Sequence, residues 1–240
     1  MSYDLTLLTE GLKDYKISLT KEQEEQFVRY YELLIQWNKV MNLTGITEFQ
    51  EVLLKHFLDS IAIVKAVDMN KIQTCIDVGT GAGFPGIPLK IVFPHLEITL
   101  LDSLNKRLNF LNEVIRELEL SGIRTVHMRA EEGGKNPEYR EKYDLAVSRA
   151  VSRLASLCEY CMPFVKQGGY FVSYKGAKAE EELQEGKKAV KILGGKIEKQ
   201  EEFTLFGTDM ERTLAVIKKV SATPKKYPRK AGTPAREPIL

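Results

Sequence analysis

The chain has 240 residues, of which 43% are hydrophobic and 28% charged, and a formal net charge of +2. That length allows one large domain or one domain with an appendage, and the composition is that of an ordinary globular protein. No long apolar run occurs, so no membrane-spanning helix is expected, and the opening Met1-Ser2-Tyr3-Asp4-Leu5-Thr6 lacks the basic and then apolar order of a secretion signal, so a cytoplasmic location is expected.

Residues 1–67 read as a helical N-terminal extension. Thr20 and Gln23 have the spacing of a capping box, in which hydroxyl and amide each satisfy the other residue's free backbone N–H. Phe27, Tyr31, Leu34, Trp37 and Met41 then recur every three or four residues and predict one apolar stripe. Thr47 and Gln50 repeat the capping spacing. Val52, Leu53, His56, Phe57, Ser60, Ile63 and Val64 follow at helical intervals, with His56 read as a structural helix histidine.

From about residue 72 the texture changes to strands alternating with helices. Strands are predicted over 72–78, 97–101, 125–129, 143–147 and 169–174, and helices over 86–93, 106–120, 154–165 and 180–193. Residues 196–205 and 212–220 read as two consecutive strands with no helix between them. Strand–helix units imply a parallel, doubly wound sheet, and the closing pair implies an antiparallel edge. This α/β order resembles the class I (Rossmann-like) methyltransferase sheet, with seven mostly parallel strands and an antiparallel last strand. The predicted domain carrying that sheet spans residues 68–221. A tail over 222–240, with Pro224, Pro228, Pro234 and Pro238, is not expected to be regular.

Charge is unevenly placed. Residues 218–240 hold seven Lys or Arg and one acid, Glu237, a balance of +6, while the rest of the chain carries 28 basic and 32 acidic side chains, or −4. A basic tail on a mildly acidic body suggests a polyanionic partner, and Lys225, Lys226, Arg229, Lys230 and Arg236 are the candidate contacts. The alternative is a solvated, solubilising terminus. Cys75, Cys158 and Cys161 cannot build a disulfide framework. Cys158 and Cys161 match C-x-x-C, but one such pair inside a predicted helix is a poor zinc site, so both read as buried helix cysteines and no metal is expected.

The densest chemical signal is Asp77-Val78-Gly79-Thr80-Gly81-Ala82-Gly83-Phe84-Pro85-Gly86, between an apolar strand and a helix. Glycines there let a backbone approach a ligand closely, next to the free N–H groups of a helix N-terminus. Gly81 through Gly86 match G-x-G-x-x-G, the dinucleotide fingerprint, but the glycine run starts two residues earlier, directly after the strand. In that earlier frame Asp77-x-Gly79-x-Gly81-x-Gly83 resembles the first motif of S-adenosylmethionine (AdoMet) methyltransferases. Asp102, at the end of the second strand, can accept hydrogen bonds from ribose hydroxyls in either class. After the third strand, Ala130 can lie against an adenine ring and Glu131 can bond its edge; the alternative for Glu131 and Glu132 is a helix N-terminus favoured by its dipole. Arg149 ends the fourth strand and so reaches the cleft, unless it is a surface arginine paired with a carboxylate.

Together, Trp37 through Thr44, His56-Phe57-Leu58-Asp59-Ser60, Asp77 through Pro88, Arg129-Ala130-Glu131, Ser148-Arg149-Ala150 and Tyr227 through Pro234 resemble one family, the bacterial small-subunit rRNA methyltransferase G family (RsmG, or GidB). The resemblance runs from about Leu33 to the C-terminus. It implies AdoMet-dependent methylation of N7 of one guanine in 16S rRNA near the decoding site, with AdoMet contacts on Gly79, Phe84, Asp102, Ser103, Ala130, Glu131 and Arg149. The implied partner is 16S rRNA or the small ribosomal subunit, and a monomer is expected. Guanine N7 carries an in-plane lone pair, so no general base is expected and no catalytic residue is assigned. Arg149 and Lys175 are substrate-positioning candidates, Lys175 on phosphates, and Phe84 or an aromatic of the N-terminal helices is the candidate stacking ring. The rivals are an NAD(P)-dependent oxidoreductase, for which no Tyr-Lys or His-Asp pairing is visible, and a non-catalytic RNA-binding protein.

Overall fold

A computed structural model describes residues 3–149, 152–176 and 179–240. Ala150 of the Ser148-Arg149-Ala150 motif lies outside them. None of the helices among the described residues is long and apolar enough to cross a membrane.

The chain opens with α1 (Thr6–Asp14) and α2 (Lys21–Met41). The predicted box caps α2: Gln23 N–H donates to Thr20 Oγ1 at 3.2 Å and Thr20 N–H to Gln23 Oε1 at 2.9 Å. The buried stripe of α2 is Phe27, Tyr30, Leu33 and Leu34, so it is rotated from the predicted one, with Tyr31 and Trp37 at its margin. The second predicted cap is displaced. Glu48, not Thr47, receives a backbone N–H, from Glu51, because the chain turns helical one residue later and Glu48 holds the extended N-cap position. There α3 (Phe49–Val52) runs into a π-helical turn (Leu53–Leu58) and then α4 (Asp59–Ile61).

The seven-stranded sheet comprises β1 (Thr74–Val78), β2 (Glu97–Asp102), β3 (Ile123–His127), β4 (Tyr143–Arg149), β5 (Val165–Lys175), β6 (Gly195–Thr204) and β7 (Glu211–Lys219). Their order is β3-β2-β1-β4-β5-β7-β6, with β7 antiparallel to both neighbours and the β1, β2, β3, β4 and β5 pairings parallel. This is the expected class I arrangement. Connecting helices are α5 (Gly86–Val92), α6 (Asn105–Glu117), α7 (Ala130–Gly133), α8 (Leu154–Cys161) and α9 (Ala179–Ile192). The predicted helix over 154–165 stops at Cys161, because Pro163 cannot donate to a helical ladder, and Val165 joins β5 instead.

Alternate residues of each central strand enter two different cores, as the period of two requires. Cys75, Leu145, Val147 and Val172 join the N-terminal helices, α5 and α6 in one apolar cluster. Ile76, Val78, Ala146 and Phe171 join α8 and α9 in the other. Cys158 and Cys161 are fully buried there as free thiols. Beyond β7 the tail is more ordered than expected. It crosses the second core's surface and ends in a short helix, α10 (Thr233–Arg236), with Pro234 in its first turn.

Candidate active site

The glycine loop is shaped from behind by one carboxylate. Asp77, fully buried at the end of β1, accepts Thr80 Oγ1–H at 2.7 Å and the Gly86 N–H at 2.9 Å through the same oxygen. Burial pushes its pKa up to about 6, against those two hydrogen bonds. Gly79, Gly81 and Gly83 have φ of 75°, 60° and 97°, which L side chains rarely adopt. A Cβ on Gly83 would meet the Tyr30 hydroxyl at 2.7 Å, whereas a Cβ on Gly81 would meet nothing within 4 Å. Gly83 therefore turns inward, where Tyr30 OH bonds the next carbonyl back, Ala82 O, at 2.5 Å. Gly79 and Gly81 line a cleft of about 690 Å³ at the carboxyl ends of β1, β2 and β4.

The second wall is Asp102. Its oxygens accept the Gly81 N–H at 3.0 Å and the Leu104 N–H at 2.9 Å, with Arg107 at 3.4 Å. Each carboxylate oxygen can take more than one hydrogen bond, so Asp102 keeps acceptor capacity for a diol. Ser103, Ala130 and Glu131 line the same cleft.

The third wall comes from the N-terminal helices. The π-helical turn sets His56 and Asp59 toward the sheet's carboxyl edge. Asp59 accepts Arg149 Nη1 at 3.0 Å and Arg212 Nε at 2.9 Å. Arg149 also donates to Lys55 O at 3.2 Å and lies 5.0 Å from the Phe84 ring centre. His56 stacks on Phe84 at 4.5 Å and pairs with Thr44 Oγ1 at 2.7 Å. Burial and the neighbouring Arg149 charge lower the His56 pKa to about 4, so its ring is neutral near pH 7. Thr44 is held by Asn38 through two bonds, its N–H to Asn38 Oδ1 at 2.9 Å and Asn38 Nδ2 to its carbonyl at 3.0 Å.

The family model for rRNA small subunit methyltransferase G, GidB, matches residues 23–215. The chain belongs to this family. A Ribosomal RNA small subunit methyltransferase G from Lachnoclostridium phytofermentans is 54% identical over 237 residues, 99% of this chain and 98% of the relative. One from Brevibacillus brevis is 53% identical over 224 residues, 93% of this chain and 94% of the relative. Among solved structures, StiE O-MT gives a TM-score of 0.53 at 14% identity over 69% of this chain and 74% of that one. M. jannaschii TYW2 in complex with AdoMet gives 0.50 at 15% identity over 62% and 69%. At such identities the likeness shows the fold alone, that of the class I methyltransferases.

Within this methyltransferase, the predicted site residues separate into two groups. Gly79, Gly81, Phe84, Asp102, Ser103, Ala130, Glu131 and Arg149 line the cleft. Asp77 and Gly83 do not: both are turned into the core, Asp77 because its carboxylate is spent on the loop's own backbone. Phe84 is only 7% exposed and packed against Tyr30, Phe57, His56 and Arg149, so no open face is left for a base. Lys175 does not line the cleft; it pairs with Glu182 at 2.6 Å and donates to Ser152 O at 2.7 Å. Arg229 is likewise neutralised by buried Glu159, while Lys225, Lys226, Lys230 and Arg236 are exposed. Lys219, counted with the basic tail, is fully buried.

Sequence reasoning missed several walls. His56, on the π-helical turn between α3 and α4, also lines the cleft. Thr44, Arg129, Tyr160, Gly232 and Ala235 also line it. The His-x-x-Asp spacing on one helix face was the available signal for His56 and Asp59; nothing local marks Tyr160 or Gly232. Among the described residues no cluster of ligating side chains could hold a metal ion.

Proposed function

We propose that this chain transfers the methyl group of AdoMet to N7 of a guanine in 16S rRNA. The observation that carries the reading is the joint placement of the Gly79–Gly81 backbone and the Asp102 carboxylate in one cleft, in a member of this family. The cleft volume suits a nucleoside-sized ligand. Open space beside Gly81 fits close backbone approach, and Asp102 fits a ribose diol. Gly79, Gly81, Asp102, Ser103, Ala130 and Glu131 are the residues proposed to hold the cofactor. AdoMet, when bound, supplies an electrophilic methyl group.

The dinucleotide alternative is disfavoured electrostatically. A diphosphate would need the first free N–H groups of α5, but the Gly86 N–H is already taken by Asp77 and the Ile87 N–H by Gly83 O. A carboxylate behind the loop repels an anion and suits a cationic ligand.

The residues around the cleft then position rather than abstract. N7 has its lone pair ready, so the barrier is lowered by orientation and by the charge environment. Methylation makes the purine cationic. Neutral His56 adds no opposing charge, and Asp59 offsets one of the two positive charges of Arg149 and Arg212. N7 faces a groove in A-form RNA that side chains cannot enter, so the target base must be unstacked or in a loop. The exposed Lys225, Lys226, Lys230 and Arg236 supply attraction for the phosphates, and binding should weaken as salt rises. A cytoplasmic monomer acting on the small subunit is the setting proposed.

The test is incorporation of labelled methyl from AdoMet into small-subunit rRNA from cells lacking the enzyme, offered as naked RNA, an assembling particle and the complete subunit. Label at guanine N7 in one of the three is the expected result. Label absent from all three, or found on another atom, overturns the reading.

A further inference from the structure

The C-terminal segment is fastened to the body by a built clasp. Arg229 gives Glu159 of α8 four bonds: its backbone N–H to Oε1 at 2.7 Å, Nε to the two oxygens at 3.0 and 3.1 Å, and Nη2 to Oε2 at 2.7 Å. Glu159 is fully buried, and Arg229 Nη2 also donates to Glu237 O at 2.7 Å. One turn of α8 earlier, Ser156 Oγ–H donates to Pro234 O at 2.8 Å. Between these two fastenings, the Gly232 N–H donates to Glu131 Oε1 at 2.7 Å. Glu131 is 7% exposed and lines the cleft together with Gly232, Ala235 and Tyr160. Its second oxygen has no protein partner among the described residues.

A buried ion pair is a poor way to gain stability, since apolar residues of similar size do as well or better. What a four-bonded arginine contributes is register. Here the register puts one backbone N–H on one oxygen of a cleft carboxylate and leaves the other oxygen free. The same segment carries Lys230 and Arg236 on its exposed side, so charge on the outside and a cleft wall on the inside coexist.

We infer that residues 229–237 are a wall of the adenosine end of the cleft, positioned by the Arg229–Glu159 clasp, so that the tail serves the cofactor as well as the RNA. The inference rests on the reading of the cleft as an AdoMet site. Arg229 and Gly232 are positioning residues: they act through Glu131 and touch no reacting atom.

Calorimetric titration of S-adenosylhomocysteine, adenosine and methionine tests it without any methyl transfer. Two variants are compared with the full chain. One ends at Pro228 and carries Glu159→Gln, so no charge is stranded; the other is the full-length double variant Arg229→Met, Glu159→Met. Circular dichroism melts establish that each is folded. S-adenosylhomocysteine and adenosine are expected to bind about tenfold more weakly to both variants, the loss of roughly one hydrogen bond to a charged group, with methionine unchanged. A tail that acts on RNA alone predicts unaltered adenosine affinity in both folded variants, and that result overturns the inference. Failure of the unmodified protein to bind S-adenosylhomocysteine overturns the reading of the cleft instead.

Discussion

Asp59 stands between Arg149 and Arg212, accepting Arg149 Nη1 at 3.0 Å on one oxygen and Arg212 Nε at 2.9 Å on the other. One carboxylate from the N-terminal helices therefore ties together the carboxyl end of β4 and the start of β7, on either side of β5. Tyr174 of β5 completes the tie by donating its hydroxyl to Ser60 O at 2.7 Å. The N-terminal helices are thus part of the cleft, not a cover laid over it.

Asp59→Asn leaves two guanidinium groups without their counter-charge in a nearly buried setting. Denaturant unfolding is expected to show a loss of about 3 kcal/mol, the usual cost of breaking such a pair. S-adenosylhomocysteine affinity should fall as well, because Arg149 is freed to turn into the cleft. An unfolding midpoint equal to that of the unmodified protein would refute the bracing role.

The two glycines of the loop separate packing from ligand approach. Gly83→Ala drives a methyl group against Ile87, Tyr30 and Leu111 at 2.7 to 2.8 Å, at a φ of 97°. It should cost about 3 kcal/mol of stability from overpacking and backbone strain together. Gly81→Ala has open space and should cost only about 1 kcal/mol. Its methyl group points into the cleft, so titration should show weakened S-adenosylhomocysteine binding with little change in the melting curve.

Two opposed titrations meet in the acid range. Asp77 has its pKa raised by burial to about 6, so it adds stability below its ordinary value of 3.8 and loses it as pH rises toward 6. His56 has its pKa lowered to about 4 by burial and Arg149, so it adds stability above its ordinary 6.5 and loses it as pH falls toward 4. Each effect is of order 3 kcal/mol, and between pH 4 and 6 they largely cancel. His56→Gln should unmask a stability that declines with rising pH across that window. Asp77→Asn should unmask the opposite slope. Urea midpoints at pH 4, 5 and 6 measure both, and parallel profiles for the three proteins would contradict the prediction.

Lys219 is fully buried under the root of the tail, donating to Met162 O at 2.7 Å and Thr223 Oγ1 at 2.5 Å, with Glu141 at 3.2 Å. Burial lowers its pKa from 10.5 to about 8, against the pull of Glu141. Between those values the unfolded chain holds a proton that the folded one has released, so stability rises with pH by about 3 kcal/mol. Lys219→Met should remove that alkaline rise, which unfolding at pH 8 and pH 10 would register.

Much of this molecule was legible one segment at a time. Period and punctuation marked the alternation of strands and helices, because a strand's two faces and a helix's one stripe write different intervals into the chain. The Thr20–Gln23 cap was readable because both partners lie within one turn. Gly79, Gly81, Asp102 and Ala130 were readable because a doubly wound sheet delivers every strand's carboxyl end to one crevice. The chain by itself thus determined the order of elements and the loops that line the cleft.

Only the folded structure decided which of those groups are free. Whether Asp77 faces a ligand or its own loop depends on which way a single χ angle turns against Thr80 and Gly86. Whether Lys175 and Arg229 are available to a phosphate depends on Glu182 of α9 and Glu159 of α8, carboxylates that packing brings within hydrogen-bond reach. His56 entered the cleft through a π-helical turn, and Gly232 through a tail that returns to Glu131 across 101 positions. Charge and hydrogen-bonding capacity belong to a residue, but their availability belongs to its neighbours, and neighbours are set by packing.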